Sequence, residues 1–456
     1  MKYTKLTLLA AFLIGTTFSF GQKQWTLKEA VDHALTNNIT IKQNKLSIDS
    51  SVKDKEIAFG EFLPSLGASN SNNFTFGLST GGDNTRSSAN RYSFNLNTNI
   101  NGTIFNGFRN LNSYRQAKLG IERSKLDLQV IENDVSLQVV NTYLNVLFAK
   151  ENLEVAKTQA EISKNQIKQA QVQFEAGSIP KGDLLNIQST AANDAQNVIT
   201  QENALNLALL QLSQLLQVSY ENFDVQTIEV GTPSAALLYS SSNEVYKKAL
   251  TNRPEIERAR LNIENADLSI KISKGAYLPT LSYSMSAGTF YVTTLGEPDF
   301  FSGIDPTTGL PFTVDRRFST QLNDNFSYGG GFSLNIPIFN RFQTKNRIAK
   351  SVIAKDQAQL SLESEKLRLQ QTIEQAFLDA KAAAKTYEAA EVSLEAQREA
   401  FKNAEVSFNY GSMTQFDYDQ VRNRLVNAES ASIRAKYDYI FKTKVLKFYY
   451  GENVID

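Results

Sequence analysis

Asp183 and Asp417 each lie six residues after a glycine, Gly177 and Gly411, and each stands at the start of a helical stretch. A carboxylate in a first helical turn faces the positive end of the helix dipole, so capping is the most immediate work these two can do. Little other chemistry is on offer. The 456 residues contain no cysteine and a single histidine, His33. Disulfides, zinc-thiolate sites and cysteine nucleophiles are excluded. One histidine, beside Asp32 and read as structural, leaves little room for histidine catalysis or metal ligation. No Gly-rich phosphate loop is present. No catalytic residue, cofactor site or metal site is therefore expected, and the chain is read as a non-enzyme. Composition alone leaves open a carboxylate-only hydrolase, but no long globular segment remains to house one. Lys+Arg and Asp+Glu are equal at 47 each, without the basic excess of a nucleic-acid binder.

The two Gly-x5-Asp segments belong to a larger repetition. Ala34-Leu35-Thr36-Asn37 returns as Ala249-Leu250-Thr251-Asn252, and Leu63-Pro64-Ser65-Leu66 as Leu278-Pro279-Thr280-Leu281, both 215 residues later. Ile104-Phe105-Asn106 returns as Ile338-Phe339-Asn340, and Phe174, Gly177, Ser178 and Asp183 as Phe408, Gly411, Ser412 and Asp417, all 234 later. The chain is an internal duplication. The offset jumps once, by 19 residues, so the second copy carries one net insertion.

Each copy opens on a capping box, Thr26 with Glu29 and Ser241 with Glu244. Helical pattern then runs to about Phe59 and about Lys274, where Gly60 and Pro64, or Gly275 and Pro279, stop it. The period next falls to 2. In residues 92–101, Tyr92, Phe94, Leu96 and Ile100 share one face, with Ser93, Asn95, Asn97, Asn99 and Asn101 on the other. Residues 326–336 alternate likewise. Their partners are Leu66–Phe76 and Leu281–Gly288, giving one hairpin per copy and four strands per chain. The 19-residue insertion is assigned to the tip of the second hairpin, about Gly288–Asn325, because surface loops tolerate length cheaply. Two long helices follow, from Asn112 to Ala176 and from Gln343 to Tyr410, each able to reach roughly 100 Å. A helix returns after each glycine turn. Leu153, Ala156, Ala160, Ser163, Ile167, Ala170 and Phe174 form a heptad seam, repeated by Tyr387, Ala390, Leu394, Gln397, Phe401, Ala404 and Phe408, so coiled-coil packing is expected.

Residues 1–21, with Lys2, Lys5 and an apolar stretch Leu6–Ile14, read as a signal peptide. The expected divisions are 22–217 for the first repeat with its hairpin at 65–101, 218–240 between the copies, 241–450 for the second repeat with its hairpin at 280–338, and a tail at 451–456. No apolar run is long enough for a transmembrane helix, but strands of nine to eleven residues suit a tilted crossing of a bilayer. A sheet in hydrocarbon must close. Four strands are too few, so several chains would pool theirs, three giving twelve. The alternative is an exported structural or adhesive coiled-coil protein whose hairpins form a soluble sheet with one wet face.

In order, spacing and duplication these motifs resemble the TolC-type outer-membrane efflux channel family across essentially the whole mature chain. The resemblance implies a mainly α fold with a membrane β-barrel: a homotrimer with a twelve-stranded barrel in the outer-membrane lipid of a Gram-negative bacterium and a periplasmic tunnel of long helices. It also implies a passive export conduit, for efflux or type I secretion, working with a periplasmic adaptor (membrane fusion) protein and an inner-membrane pump. The family's periplasmic gate maps onto the tip turns Gly177 and Gly411. It places an entrance carboxylate at Asp417, and Asp183 stands at the counterpart position, where a residue helps tie neighbouring helices shut. Where members carry a second carboxylate, nine after the glycine, this chain has Gln420 with Asp419 next door. Where they carry a tyrosine and an arginine around the turn it has Phe408 and Met413. Apolar packing by Phe408, Tyr410 and Met413 is then expected to replace polar latches.

Overall fold

The computed structural model describes residues 24–80, 86–88, 90–227 and 239–452. The expected signal peptide, part of the first hairpin tip, residues 228–238 between the copies and 453–456 of the tail lie outside the described residues. The helices are α1 (Leu27–Asn37), α2 (Ile39–Gly60), α3 (Arg109–Glu175), α4 (Lys181–Leu216), α5 (Ser242–Asn252), α6 (Pro254–Gly275), α7 (Phe318–Asp324), α8 (Gln343–Asn409) and α9 (Gln415–Tyr450). The strands are β1 (Gln24–Trp25), β2 (Ser65–Thr75), β3 (Leu78–Thr80), β4 (Arg86–Ser88), β5 (Arg91–Phe105), β6 (Asp224–Val225), β7 (Thr280–Thr294), β8 (Phe300–Ile304), β9 (Pro311–Asp315) and β10 (Ser327–Asn335). None of the described helices is long and apolar enough to cross a membrane.

The duplication is visible in the helix lengths. α1 and α5 have 11 residues each, α2 and α6 have 22, α3 and α8 have 67, and α4 and α9 have 36. The first capping box forms reciprocally: Glu29 N–H donates to Thr26 Oγ1 and Thr26 N–H donates to Glu29 Oε2. In the second, Glu244 N–H donates to Ser241 Oγ, but the Glu244 carboxylate accepts from Ser240 instead. The single opening helix expected in each copy is two. Asn38 interrupts the first and caps α2, its side chain accepting from Thr40 N–H at 2.9 Å. Pro254 starts α6, since it lacks an N–H and suits a first helical position; Arg253 before it is extended, with ψ at 125°.

The chain divides into two compact units. The first comprises the described parts of Met1–Ser47, Ser124–Ala259 and Ser361–Asp456. Its core has two parts related by the duplication. In one, Ala30, Val31 and Ala34 of α1 pack with Val139, Tyr143 and Leu147 of α3 and Leu212 and Leu216 of α4. In the other, Val245 and Ala249 of α5 pack with Ile373 and Ala376 of α8 and Leu446 of α9. The residues between the copies contribute β6, which pairs parallel with β1. Tyr143 reaches both carbonyls that flank this pair, donating to Gln226 O at 2.7 Å and lying 2.9 Å from Trp25 O. Lys150 clasps Asp224 and also donates to Val225 O.

The second unit comprises Ile48–Arg123 and Arg260–Leu360. It holds one antiparallel sheet in the order β10-β7-β5-β2. Each expected hairpin is present, and β5 joins them by pairing with β7. β7 runs six residues past its expected end at Gly288. Both tips add a small ribbon, β3 with β4 and β8 with β9, that periodicity did not suggest. The registers sort most side chains by face, the exceptions being Asn70 and Asn72 on the apolar side and Arg91, Phe290 and Val292 on the other. Leu66, Phe94, Leu96, Ile100, Tyr283, Met285, Tyr291, Tyr328, Phe332 and Leu334 lie on one side; Ser69, Ser71, Asn95, Asn97, Asn99, Ser284, Ser286 and Ser333 lie on the other. Apart from Tyr291, which is buried, the apolar side is largely bare in the single chain: Tyr328 is 83% exposed, Phe332 77% and Leu66 72%.

Burial opposes the charge of Asp224, yet hydrogen bonds from Lys150, Val225 N–H and Gln24 outweigh it and hold the carboxyl below its ordinary range. A depressed folded-state pKa stabilises at pH values above the unfolded carboxyl, about 3.9, and that contribution is lost as pH falls through the folded value. Melting followed by helical circular dichroism should therefore drop on acidification below about pH 4, and drop less in Asp224→Asn. An equal drop in both proteins would remove Asp224 from the account.

Candidate helix-tip site

Both tips close by the same backbone device. Gly177 and Gly411 have φ of +74° and +72°, left-handed values that a side chain resists. Ser178 N–H donates to Gln173 O and Gly177 N–H to Phe174 O; Ser412 N–H donates to Ser407 O and Gly411 N–H to Phe408 O. These paired bonds satisfy carbonyls left free at a helix C-terminus. The chain then re-enters a helix at once.

The two aspartates differ in what they do locally. Asp417 is exposed in the first turn of α9, where Asp417 N–H donates to Thr414 Oγ1 at 3.2 Å and Thr414 Oγ1 lies 2.7 Å from Asp417 Oδ2. It caps its helix. Asp183 is half-buried in the first turn of α4, behind Pro180, which offers no side-chain cap. Of the expected apolar packing, Phe408 stacks on Tyr418 at 4.7 Å and Phe401 adds a second ring at 5.6 Å. Burial, reinforced by Glu405, raises the Tyr418 hydroxyl pKa. Met413 is half-buried. Tyr410 does not join them: it is 86% exposed. On the first tip, Ala170 of α3 and Leu184 and Ile187 of α4 make a small apolar cluster with Phe174 and Ile179.

The seam of α3 also carries a polar cluster. Arg422 of α9 is only 1% exposed. Its guanidinium donates to Ser163 Oγ at 2.8 Å and Gln166 Oε1 at 3.3 Å, both on α3, and lies 3.2 Å from Asp194 Oδ2 of α4. With its amide oxygen turned towards α9, Gln159 of α3 accepts from Nε at 2.8 Å. Ser163 Oγ also donates to Asp194. Asp419, one turn before Arg422, accepts from Gln415 and keeps its other oxygen, buried, 3.9 Å from the guanidinium. A buried arginine with this many acceptors is a fork that sets helix register, since each acceptor left alone would be an uncompensated polar group. Farther along, Lys436 and Tyr437 of α9 both reach Glu151 of α3.

Periodicity did not single out Arg422, because a charge on a helix usually marks a wet face. The available signal was register: Tyr418, Arg422, Ala428, Ser432 and Ala435, all buried, form one stripe of α9. The hub has no duplicate. The counterparts of Arg422, Asp194 and Ser163 in the other copy are Gln188, Ala428 and Gln397. Among the described residues no group of three or more His, Asp or Glu side chains is arranged to hold a metal ion.

Residues 30–217 and 245–452 match the family model described as outer membrane efflux protein. The outer membrane efflux protein BepC of Brucella suis biovar 1 (strain 1330) is 22% identical over 462 residues, covering 98% of this chain and 91% of that protein. Among solved structures, the CmeC outer membrane channel of Campylobacter jejuni matches with a TM-score of 0.74 at 19% identity, over 94% of this chain and 87% of that one. The outer membrane protein VceC of Vibrio cholerae matches with a TM-score of 0.73 at 12% identity, over 94% and 96%. With both copies matched, the chain belongs to the outer membrane efflux protein family and is an outer-membrane channel component of an export system.

Proposed function

We propose that three copies of this chain form a passive export conduit through the outer membrane, closed at the helix tips and opened there by its partners. The sheet carries the reading. It is mainly apolar on one face and, up to Gly288 of β7, lined by Asn, Ser, Thr and Gly on the other, and its outer strands β2 and β10 each have one open side. In water such a sheet is an aggregation hazard. In lipid it is half of what a barrel needs, the other half being closure. Three chains supply twelve strands and turn the Asn/Ser/Thr face to an aqueous lumen. The helices of the trimer form the periplasmic tunnel. The conduit does no chemistry and holds no cofactor. A periplasmic adaptor at the tips and an inner-membrane pump supply the energy.

The gate combines two elements. Asp417, exposed beside the second turn, repeats three times around the entrance and favours cations, as carboxylate rings do. Its capping bond to Thr414 fixes its position without removing its charge. The Arg422 hub ties α9 to α3 and α4 of its own chain, beside the Phe408–Tyr418 stack. Breaking one partner of such a buried set costs about 3–5 kcal/mol, enough to favour a loosened tip.

Planar bilayers test all of this. The purified protein should insert as discrete conductance steps, whereas an exported coiled-coil rod should give none and should need no detergent. Asp417→Asn should lower the cation preference; an unchanged preference would contradict the ring. Arg422→Met should raise the conductance or the open time, while Arg422→Lys, which keeps the charge but not the fork, should fall between. A wild-type conductance in Arg422→Met would show that the hub does not hold the tip.

A further inference from the structure

The insertion of the second copy is folded back onto the sheet. β7 continues beyond its last partner in β10, so residues 289–294 have no strand on that side. α7 takes the place of one. Gln321 accepts from Val292 N–H at 3.2 Å and donates to Val292 O at 3.1 Å, as a neighbouring peptide would. Asn325 donates to Phe290 O, and Thr289 donates to Leu322 O. The side on which α7 sits is defined by Phe318. Its ring packs 5.3 Å from Phe94 and 5.0 Å from Tyr291, a cross-strand pair on the apolar face. Thr289 is on that face too. The insertion is thus anchored on the apolar side of the sheet, opposite the Asn/Ser side.

The β8–β9 hairpin leads into this anchor. Arg316 N–H donates to Asp299 O, and Arg317 forks onto Asp315, pairing the charge at the hairpin's base. Ile304 is 70% exposed and Leu310 65%, with Phe300, Phe312 and Val314 also exposed. The register puts Phe300 and Ile304 on one face of the hairpin and Phe312 and Val314 on the other, and exposed apolar side chains in such number mark an interaction site. We infer that the 295–326 tip, which carries the insertion, folds outward along the lipid-facing wall of the barrel and lays its hairpin against the acyl chains of the outer leaflet, so that it is a membrane contact and does not cover the pore mouth. The occupant follows from continuity: the face that α7 already covers is the face that meets lipid. This rests on the barrel reading of the preceding subsection.

The chain has no cysteine, so single cysteines report one site each. Nitroxide labels at Ile304→Cys and Leu310→Cys are to be compared with Phe332→Cys on the apolar strand face and Asn97→Cys on the polar face, in lipid vesicles. Oxygen concentrates in lipid and a nickel chelate stays in water. The inference predicts that labels at 304 and 310 collide preferentially with oxygen, as at 332. Preferential collision with the chelate, as at 97, would overturn it and put the hairpin in water. Labels shielded from both would also overturn it, showing packing against protein. If the label at 332 itself met the chelate, the barrel reading would fall, and not merely this addition to it. A deletion of residues 297–314 joined by a short glycine linker adds a second readout: conductance should be unchanged, and a rise would show that the loop obstructs the pore.

Discussion

Backbone N–H and C=O groups in hydrocarbon have no partner except one another. That constraint decides what this chain can be. Its sheet satisfies the inner sides of β2 and β10 and leaves their outer sides open. A soluble protein would hide such edges with charge, proline or a covering element. These edges carry instead Asn, Ser, Gly and large apolar residues. Closure with further copies satisfies the edges and sets the side-chain alternation at the same time. One face can then be apolar without aggregating and the other polar without being buried dry. The one place where β7 lacks a strand neighbour within its own chain, residues 289–294, is met by the amides of Gln321 and Asn325, the same requirement solved by side chains.

Duplication supplies economy, and its breaches point to function. Paired helices of equal length and twin glycine turns make the two copies near-equivalents. Two features depart from that equivalence. The Arg422 hub binds α9 of the second copy to α3 and α4 of the first, with no counterpart in the opposite direction. The second tip, 295–326, carries the 19-residue net insertion and is longer than the first tip at 76–90. A conduit built from equal halves has no intrinsic reason for one half to move. A one-sided polar tie gives the halves different tasks, and it lies in the same unit as the tips.

Much of this was legible in the residues. Repeat offsets marked the element boundaries, because a duplicated chain states each boundary twice. The heptad stripes marked the buried seams, and Leu153, Ala156, Ser163, Ala170, Leu394 and Ala404 are buried. Strict alternation marked the sheet. What was missed has physical reasons. Asn38 and Arg253 break their helices in stretches whose helical periodicity runs on past the break, and only a side-chain cap or a following proline tells of it. Arg422 was hidden because charge outweighs register in any reading by hydropathy, whereas a buried fork depends on partners from three helices. Tyr410, expected with Phe408 and Met413 to replace polar latches at the gate, is exposed in the single chain. α7 was invisible because seven residues hold too little pattern.

The central claim is that β2 of one chain completes the sheet by pairing with β10 of the next. Cysteines introduced singly along these two edges, one in β2 and one in β10 of the same chain, test it directly in the outer membrane. Neighbouring positions should oxidise to covalent ladders of two and three chains, and no larger. A pair that closes only within one chain, or none that closes at any register, would contradict it.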